Sequence, residues 1–208
     1  MTRILYHYIL DTMADWETGY VLSELGSGRY FKDPTERYNL ILCGHSLNPI
    51  KTMGGLHLTP DILVTDIRPG PDTLLILPGA DTWLDPVQGQ ILEKVSQLLE
   101  ADIVIAAICG ATMGLAEAGL LNHRKHTSNN LQALTMFCPG YSGGSHYIDG
   151  SAVTDGNLIT ATGLAPVDFA KHIFIQLNVM REATLEAWYQ LHITRKPEYY
   201  HSLVNSLK

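Results

Sequence analysis

A chain of 208 residues, 46% hydrophobic and 17% charged, has the make-up of one globular domain able to bury a central sheet under helices. Its 14 Lys and Arg against 21 Asp and Glu leave a formal net charge of −7 with no basic cluster, which argues against phosphate-backbone binding and so against a nucleic-acid partner. Three widely spaced cysteines form no disulfide framework and no apolar run approaches a membrane span, so a cytoplasmic protein with no membrane partner is expected.

Residues 2–10 read as a first strand, rich in β-branched and aromatic side chains. Residues 14–25 read as a helix with Asp15 and Glu17 in its first turn, where the helix dipole favours negative charge. Gly26-Ser27-Gly28 is then a helix C-terminus and not a phosphate loop, because no strand precedes it. Residues 38–44 form the second strand, with Cys43 inside its apolar run. Residues 46–66, containing Gly54-Gly55, suggest a short hairpin or edge excursion. Residues 73–77 form a buried strand running into Pro78-Gly79-Ala80. A helix over 87–99 follows Asp85-Pro86, with Val87, Ile91, Leu92, Val95, Leu98 and Leu99 at helical spacing.

The most informative stretch comes next. Ile103 to Ile108 is an unbroken apolar run, as expected of a strand buried on both faces of a parallel sheet. Cys109 follows it, and residues 110–119 read as a short helix closed by glycine. A strand turning sharply into a helix, with a nucleophile-type residue in the turn, is a nucleophile elbow. The turn projects Cys109 from the sheet, aims the following backbone N–H groups at whatever the sulfur attacks, and favours an acidic thiol. The plain alternative is a small core residue at the end of a buried strand.

Beyond the elbow, residues 136–144 form a loop bearing Tyr141 and a partly exposed Cys138. Residues 147–149 and 152–163 read as two strands around an Asp155-Gly156-Asn157 turn. A helix runs from about 165 to 177 with Pro166 in its first turn. Residues 181–208 add a helix carrying Leu185, Trp188, Tyr189 and Leu191, then a polar aromatic tail. His123 and His126 stand three apart on a strand-like stretch and no Cys/His spacing suits tetrahedral zinc, so they read as solvated histidines and no metal or cofactor is expected.

The segment Ala107-Ile108-Cys109-Gly110-Ala111-Thr112-Met113-Gly114-Leu115-Ala116-Glu117-Ala118-Gly119 resembles the elbow signature of the DJ-1/PfpI family, within the class I glutamine amidotransferase-like superfamily. The likeness extends over most of residues 3–180 and leaves 181–208 as a C-terminal extension. It implies a flavodoxin-like three-layer α/β sandwich with a mostly parallel sheet. It implies that Glu17 hydrogen-bonds the Cys109 sulfur, with Asp15 as a competitor for that role, and that Gly110 and Ala80 supply the oxyanion-binding N–H groups. Some relatives carry a histidine near the place of Asn129 and others one at the place of Gly110; this chain has neither. Gly163-Leu164-Ala165 stand where a glutaminase would have a His-x-Glu pair.

The expected activity is that of a cysteine-dependent hydrolase or lyase, amidase-like or glyoxalase-like, on a small carbonyl or amide compound, and not a glutaminase. Cys109 is the nucleophile and Glu17 a protonated donor that later shuttles the proton; the auxiliary candidates are Asp15, His126, Asn129, Tyr141 and His146. His126 is expected to point to the opposite face of its strand from the site. A redox sensor using the same cysteine without turnover, or a non-catalytic fold kept for assembly, are the other readings. A homodimer is expected from the family likeness and from the apolar extension around Trp188 and Tyr189.

Overall fold

The computed structural model describes residues 3–207. Strand β1 (Arg3–Tyr8), helix α1 (Gly19–Ser27) and strand β2 (Tyr38–Gly44) are followed by the two-residue strands β3 (Ile50–Lys51), β4 (His57–Leu58) and β5 (Ile62–Leu63). Then come β6 (Thr73–Leu77), α2 (Gly89–Glu100), β7 (Val104–Ile108), α3 (Gly110–Glu117) and α4 (Leu131–Phe137). The hairpin β8 (Ala152–Asp155) and β9 (Leu158–Ala161) leads to helices α5 (Pro166–Leu177), α6 (Glu182–Thr194) and α7 (Pro197–Ser206). Seven strands pair in the order β5-β2-β1-β6-β7-β9-β8, parallel throughout except for the antiparallel β8–β9 pair. This is the flavodoxin-like sandwich: β3 and β4 form a separate small hairpin, and helices cover both faces of the sheet.

The strand period of two sorts the core. Leu5, Leu74, Ile76, Ala106 and Ile108 face α1, α5 and α6, where Val21, Phe169, Phe174 and Trp188 meet them. Tyr6, Tyr8, Leu75, Leu77, Ile105 and Ala107 face α2 and α3, against Ile91, Val95 and Leu115. Because β1, β6, β7 and β9 are adjacent and parallel, the loops leaving their carboxyl ends converge at one edge of the sandwich. That edge is where open α/β sheets bind ligands. No helix among the described residues is long and apolar enough to cross a membrane.

Four local expectations need correction. Residues 147–149 form no strand; Tyr147 makes only an isolated bridge to His126. Asp15 and Glu17 precede α1 instead of lying in its first turn. Residues 13–14 are tied into a loop, the Ala14 N–H donating to Gly79 O and the Met13 carbonyl accepting from Met53, so the helix starts only at Gly19. Cys138 is not in an exposed loop but is 1% exposed. Helix α4, capped by the Asn130 side chain, buries Leu134 and carries the Cys138 thiol to within 3.5 Å of the Met113 carbonyl. The C-terminal segment forms two helices, and Trp188 is fully buried within its own chain.

Burial of Trp188 has an electrostatic cause. Glu24 is 2% exposed, and a buried carboxylate is costly unless its oxygens are satisfied. Arg29 grips it with two hydrogen bonds of 2.7 and 2.6 Å, and the Trp188 Nε1–H donates to Oε1 at 3.1 Å. The indole is thus the bolt fixing α6 to α1, and its surface is spent inside the chain.

Candidate functional site

Cys109 sits between β7 and α3 with φ 58° and ψ −124°, a conformation that side-chain-bearing residues rarely adopt and that costs on the order of 1–3 kcal/mol. The turn is held from both sides. The Cys109 N–H donates to Ala161 O at the end of β9, and its carbonyl accepts from the Thr112 N–H and hydroxyl. The Thr112 hydroxyl also meets the Ser128 hydroxyl at 2.7 Å. The half-buried sulfur is left facing the converging loops.

Glu17 is fully buried beside it. Its Oε2 accepts from the Gly79 N–H at 2.6 Å, and its Oε1, which shares the space beside Gly163 with the Cys109 sulfur, accepts no hydrogen bond. Two glycines make room for this pair. A side chain at Gly79 would sit 2.6 Å from Cys109 Cβ and 2.7 Å from both Glu17 oxygens; one at Gly163 would sit 2.8 Å from Sγ and 3.1 Å from Oε1. The closest approach at each position is shorter than real Cβ contacts allow, so the carboxyl and the sulfur are enclosed by bare backbone.

Asn129 completes the sulfur's surroundings. Its Oδ1 accepts from the Gly163 N–H at 2.8 Å and the Thr162 hydroxyl at 3.2 Å, which fixes the amide orientation and leaves Nδ2 to donate to Sγ at 3.1 Å. The segment delivering it is strapped down at each residue. Lys125 N–H donates to Asp155, Thr127 N–H donates to the Thr160 hydroxyl, and Ser128 meets Thr112. The Gly110 N–H also lies against the sulfur. Gly110 abuts Ala80 so closely that a side chain there would be 2.5 Å from the Ala80 carbonyl oxygen and 3.1 Å from its nitrogen. The Ala80 and Gly110 backbones therefore pack against each other beside Cys109.

The remaining candidates are elsewhere. Asp15 is fully engaged, Oδ1 with the Thr52 hydroxyl and Oδ2 with the Gly54 N–H, both at 2.6 Å, so it pins the β3–β4 hairpin and does not compete with Glu17. His126 is fully buried; its Nδ1–H donates to Arg124 O at 2.7 Å and its Nε2 accepts from the Tyr141 hydroxyl at 2.9 Å. Burial holds its imidazole below the ordinary value. His146, in a short turn, offers its backbone carbonyl to the His126 N–H. Among the described residues, none of His126, Tyr141 and His146 hydrogen-bonds Cys109 or Glu17, and no group of three or more His, Cys, Asp or Glu could hold a metal ion.

The electrostatics revise the expected acidic thiol. Burial pushes Cys109 up to about 11; the Asn129 amide pulls it down, the Glu17 charge raises it, and the Gly110 N–H lowers it. Burial likewise raises Glu17 above the usual carboxylate range, against the Gly79 N–H and the Cys109 thiol. The carboxyl and the thiol share one enclosure and titrate as a coupled pair, with both groups held above their ordinary values. Cys138 is also pushed up to about 11 by burial, so access, not acidity, separates it from Cys109. The departure traced in the sequence to a missing histidine is filled by the Asn129 amide, which nothing in local periodicity could aim at the sulfur.

The model of the DJ-1/PfpI family matches residues 3–176. The Bacillus subtilis protein named uncharacterized protease YoaZ is 46% identical over 206 residues, 99% of this chain and 98% of its own. A second from that organism, named uncharacterized protease YdeA, is 34% identical over 171 residues, 82% and 81% of the two chains. Among solved structures, a thiJ/pfpI family protein from Bacillus anthracis matches with a TM-score of 0.96 and 45% identity over 99% of this chain and 97% of that one. A DJ-1 superfamily protein from Agrobacterium tumefaciens matches with a TM-score of 0.80 and 31% identity over 94% and 99%. The chain belongs to the DJ-1/PfpI family.

Proposed function

We propose that the chain is a Cys109-dependent enzyme acting on a small activated carbonyl compound, an α-oxoaldehyde, with Glu17 as the proton shuttle. The observation that carries this is the Glu17 carboxyl held by Gly79 against the sulfur, with no histidine beside it. In the reaction Glu17 takes the thiol proton as Sγ adds to the aldehyde carbon. A C–S bond forms, the carbonyl π pair moves to oxygen beside the Ala80 and Gly110 N–H groups, and the shuttled proton ends there as a hemithioacetal hydroxyl. Glu17 then carries the proton from that carbon to the neighbouring carbonyl carbon while the hydroxyl proton passes to the neighbouring oxygen, leaving a 2-hydroxy thioester that water cleaves to a 2-hydroxy acid and the free thiol. The net change is addition of one water, so no oxidant or reductant is consumed. Peptide cleavage fits less well, because an amine leaving group needs a proton donor and His126 is engaged with Arg124 and Tyr141. The relatives' protease names place them among hydrolases, and a hydrolytic last step agrees with that.

A second reading, a redox sensor, is favoured by the two N–H donors of Asn129 and Gly110 on the sulfur, which would bind the oxygens of a sulfinate. One experiment separates the two. Consumption of an α-oxoaldehyde that disappears in Cys109→Ser and Glu17→Gln supports the enzyme. A peroxide-dependent gain of two oxygens at Cys109 with no consumption supports the sensor. A cytoplasmic location and a homodimer remain part of this proposal.

A further inference from the structure

The groups that meet a substrate beyond its reacting carbon lie on the rim over Cys109. Gly163 is one wall of the sulfur's enclosure, and its carbonyl accepts from the Trp16 Nε1–H at 3.4 Å. Trp16 is 53% exposed, and Leu164, the next residue after Gly163, is 94% exposed. Trp16 also borders a hollow of about 390 Å³ with Tyr20, Ser23 and His192. Met53, 51% exposed, is brought to the same edge by its N–H donating to Met13 O and by Gly54 bonded to Asp15. An exposed tryptophan and an exposed leucine thus stand next to the glycine that lies against the nucleophile.

The charges point the same way. The carboxyl beside Cys109 is Glu17, and among the described residues no Lys, Arg or His forms an ion pair with it. Arg29, which also borders the hollow beside Trp16, has its charge met by the two hydrogen bonds to buried Glu24. Asp15 is tied to Thr52 and Gly54. A carboxylate or phosphate on the substrate would therefore approach the Glu17 carboxyl with no ion-paired cation at hand to hold it. Aromatic surface, in contrast, gains from an exposed indole face.

We infer that the site selects uncharged carbonyl compounds bearing an apolar, aromatic group, which rests against Trp16 and Leu164 while Cys109 attacks the carbonyl carbon. This rests on the proposed carbonyl chemistry for the nature of the reacting group, but the recognition is a property of the rim.

The test uses the full chain and probes that need no turnover. Cys109 is alkylated with iodoacetamide, iodoacetate and N-benzyl-iodoacetamide; in each case the C–S bond forms, iodide leaves and the thiol proton is released. Second-order rates are normalised to those with a small free thiol. An aromatic contact of about 1 kcal/mol corresponds to roughly a fivefold preference for the benzyl probe over iodoacetamide, with iodoacetate slower than both. Trp16→Ala and Leu164→Ala, both at exposed positions, should each cut the benzyl preference, while Trp16→Phe keeps the ring, loses the Nε1–H and retains most of it. A normalised iodoacetate rate equal to that of iodoacetamide, or a benzyl preference absent or unmoved by Trp16→Ala, overturns the inference. Loss of the preference in Trp16→Phe as in Trp16→Ala overturns it too, because it assigns the effect to the Gly163 hydrogen bond. In parallel, consumption of an aryl α-oxoaldehyde is compared with that of an alkyl one and of an anionic one. An alkylation preference without any consumption defeats the carbonyl reaction and leaves the rim's selectivity standing; consumption without preference does the reverse.

Discussion

Replacing Glu17 with Gln should make Cys109 more reactive to an alkylating agent and abolish turnover. The orientation of the new side chain follows from the Gly79 N–H, which demands an acceptor at 2.6 Å. The Gln oxygen takes that place, and the amide N–H group is left facing Sγ where Oε1 now lies. Two effects that hold the thiol up to about 11 are thereby reversed: a negative neighbour is removed and an acceptor becomes a donor. Two unit charges about 4 Å apart interact by roughly 4 kcal/mol at an effective dielectric of about 20. Because the sulfur is half-exposed, solvent screening reduces this to about 1.5–3 kcal/mol, or roughly ten- to a hundredfold more thiolate at a given pH below the thiol's own. The assay is the pseudo-first-order rate of iodoacetamide labelling between pH 7 and 9, with the Cys109 peptide followed by mass spectrometry. The variant's rate should rise by about that factor, while α-oxoaldehyde consumption falls by roughly 10²–10⁴ because the proton has no carrier. Cys43 and Cys138, 0% and 1% exposed, should stay unlabelled in both proteins. A variant that labels no faster than the parent would mean that the sulfur already holds the anion and Glu17 the proton, and the assignment of Glu17 as base would fall.

Asn129→Ala should slow the same labelling about three- to tenfold, the worth of one charge-assisted hydrogen bond at a partly exposed sulfur, and Asn129→Asp should slow it further; equal rates in all three would remove Asn129 from the site. His7 is 2% exposed, has an unpartnered Nε2, and is held by burial at about 4 against an ordinary 6.5. The unfolded chain therefore binds its proton first on acidification, so the stability that His7 contributes is present above pH 6.5 and lost as pH falls to about 4, by roughly 3 kcal/mol. Urea unfolding at pH 7 and 5 should show a smaller loss in His7→Leu than in the parent, and an equal loss would clear His7 of the effect. With Trp188 buried, the expectation of a homodimer turns to Tyr200, Val204 and Leu207, exposed on one side of α7. Sedimentation at micromolar concentration should give a dimer that Tyr200→Glu with Val204→Glu separates; a parent that sediments as a monomer ends the proposal.

The elbow was readable because it is local. An unbroken apolar strand, a cysteine and a small-residue helix are consecutive, and the buried parallel sheet follows from the runs at 73–77 and 103–108. Glu17 and Ala80 were reached only through family likeness, since their meeting depends on adjacent strands that are distant in sequence. The acidic thiol was misjudged because helix-terminus arguments see the donors but not the depth of burial, which here is the larger effect. Cys138 was misplaced for a related reason: Pro139-Gly140 marks a turn, yet the helix before it has already carried the thiol inside. The strapping of Asn129 depends on side-chain bonds to residues 109, 112, 160 and 163, and no periodicity records such bonds.

The groups that surround the sulfur come from positions 17, 79, 110, 129 and 163, so the environment exists only when nearly the whole chain is in place. A loosened molecule presents Cys109 as an ordinary thiol of about 8.5, whereas the intact one holds it at about 11. Folding here is thus a protecting reaction for its own nucleophile. Because the folded value lies above the unfolded one, this contribution to stability is whole below about pH 8.5 and drains away as pH climbs towards 11, which sets an alkaline ceiling on the fold at the atom on which its chemistry depends.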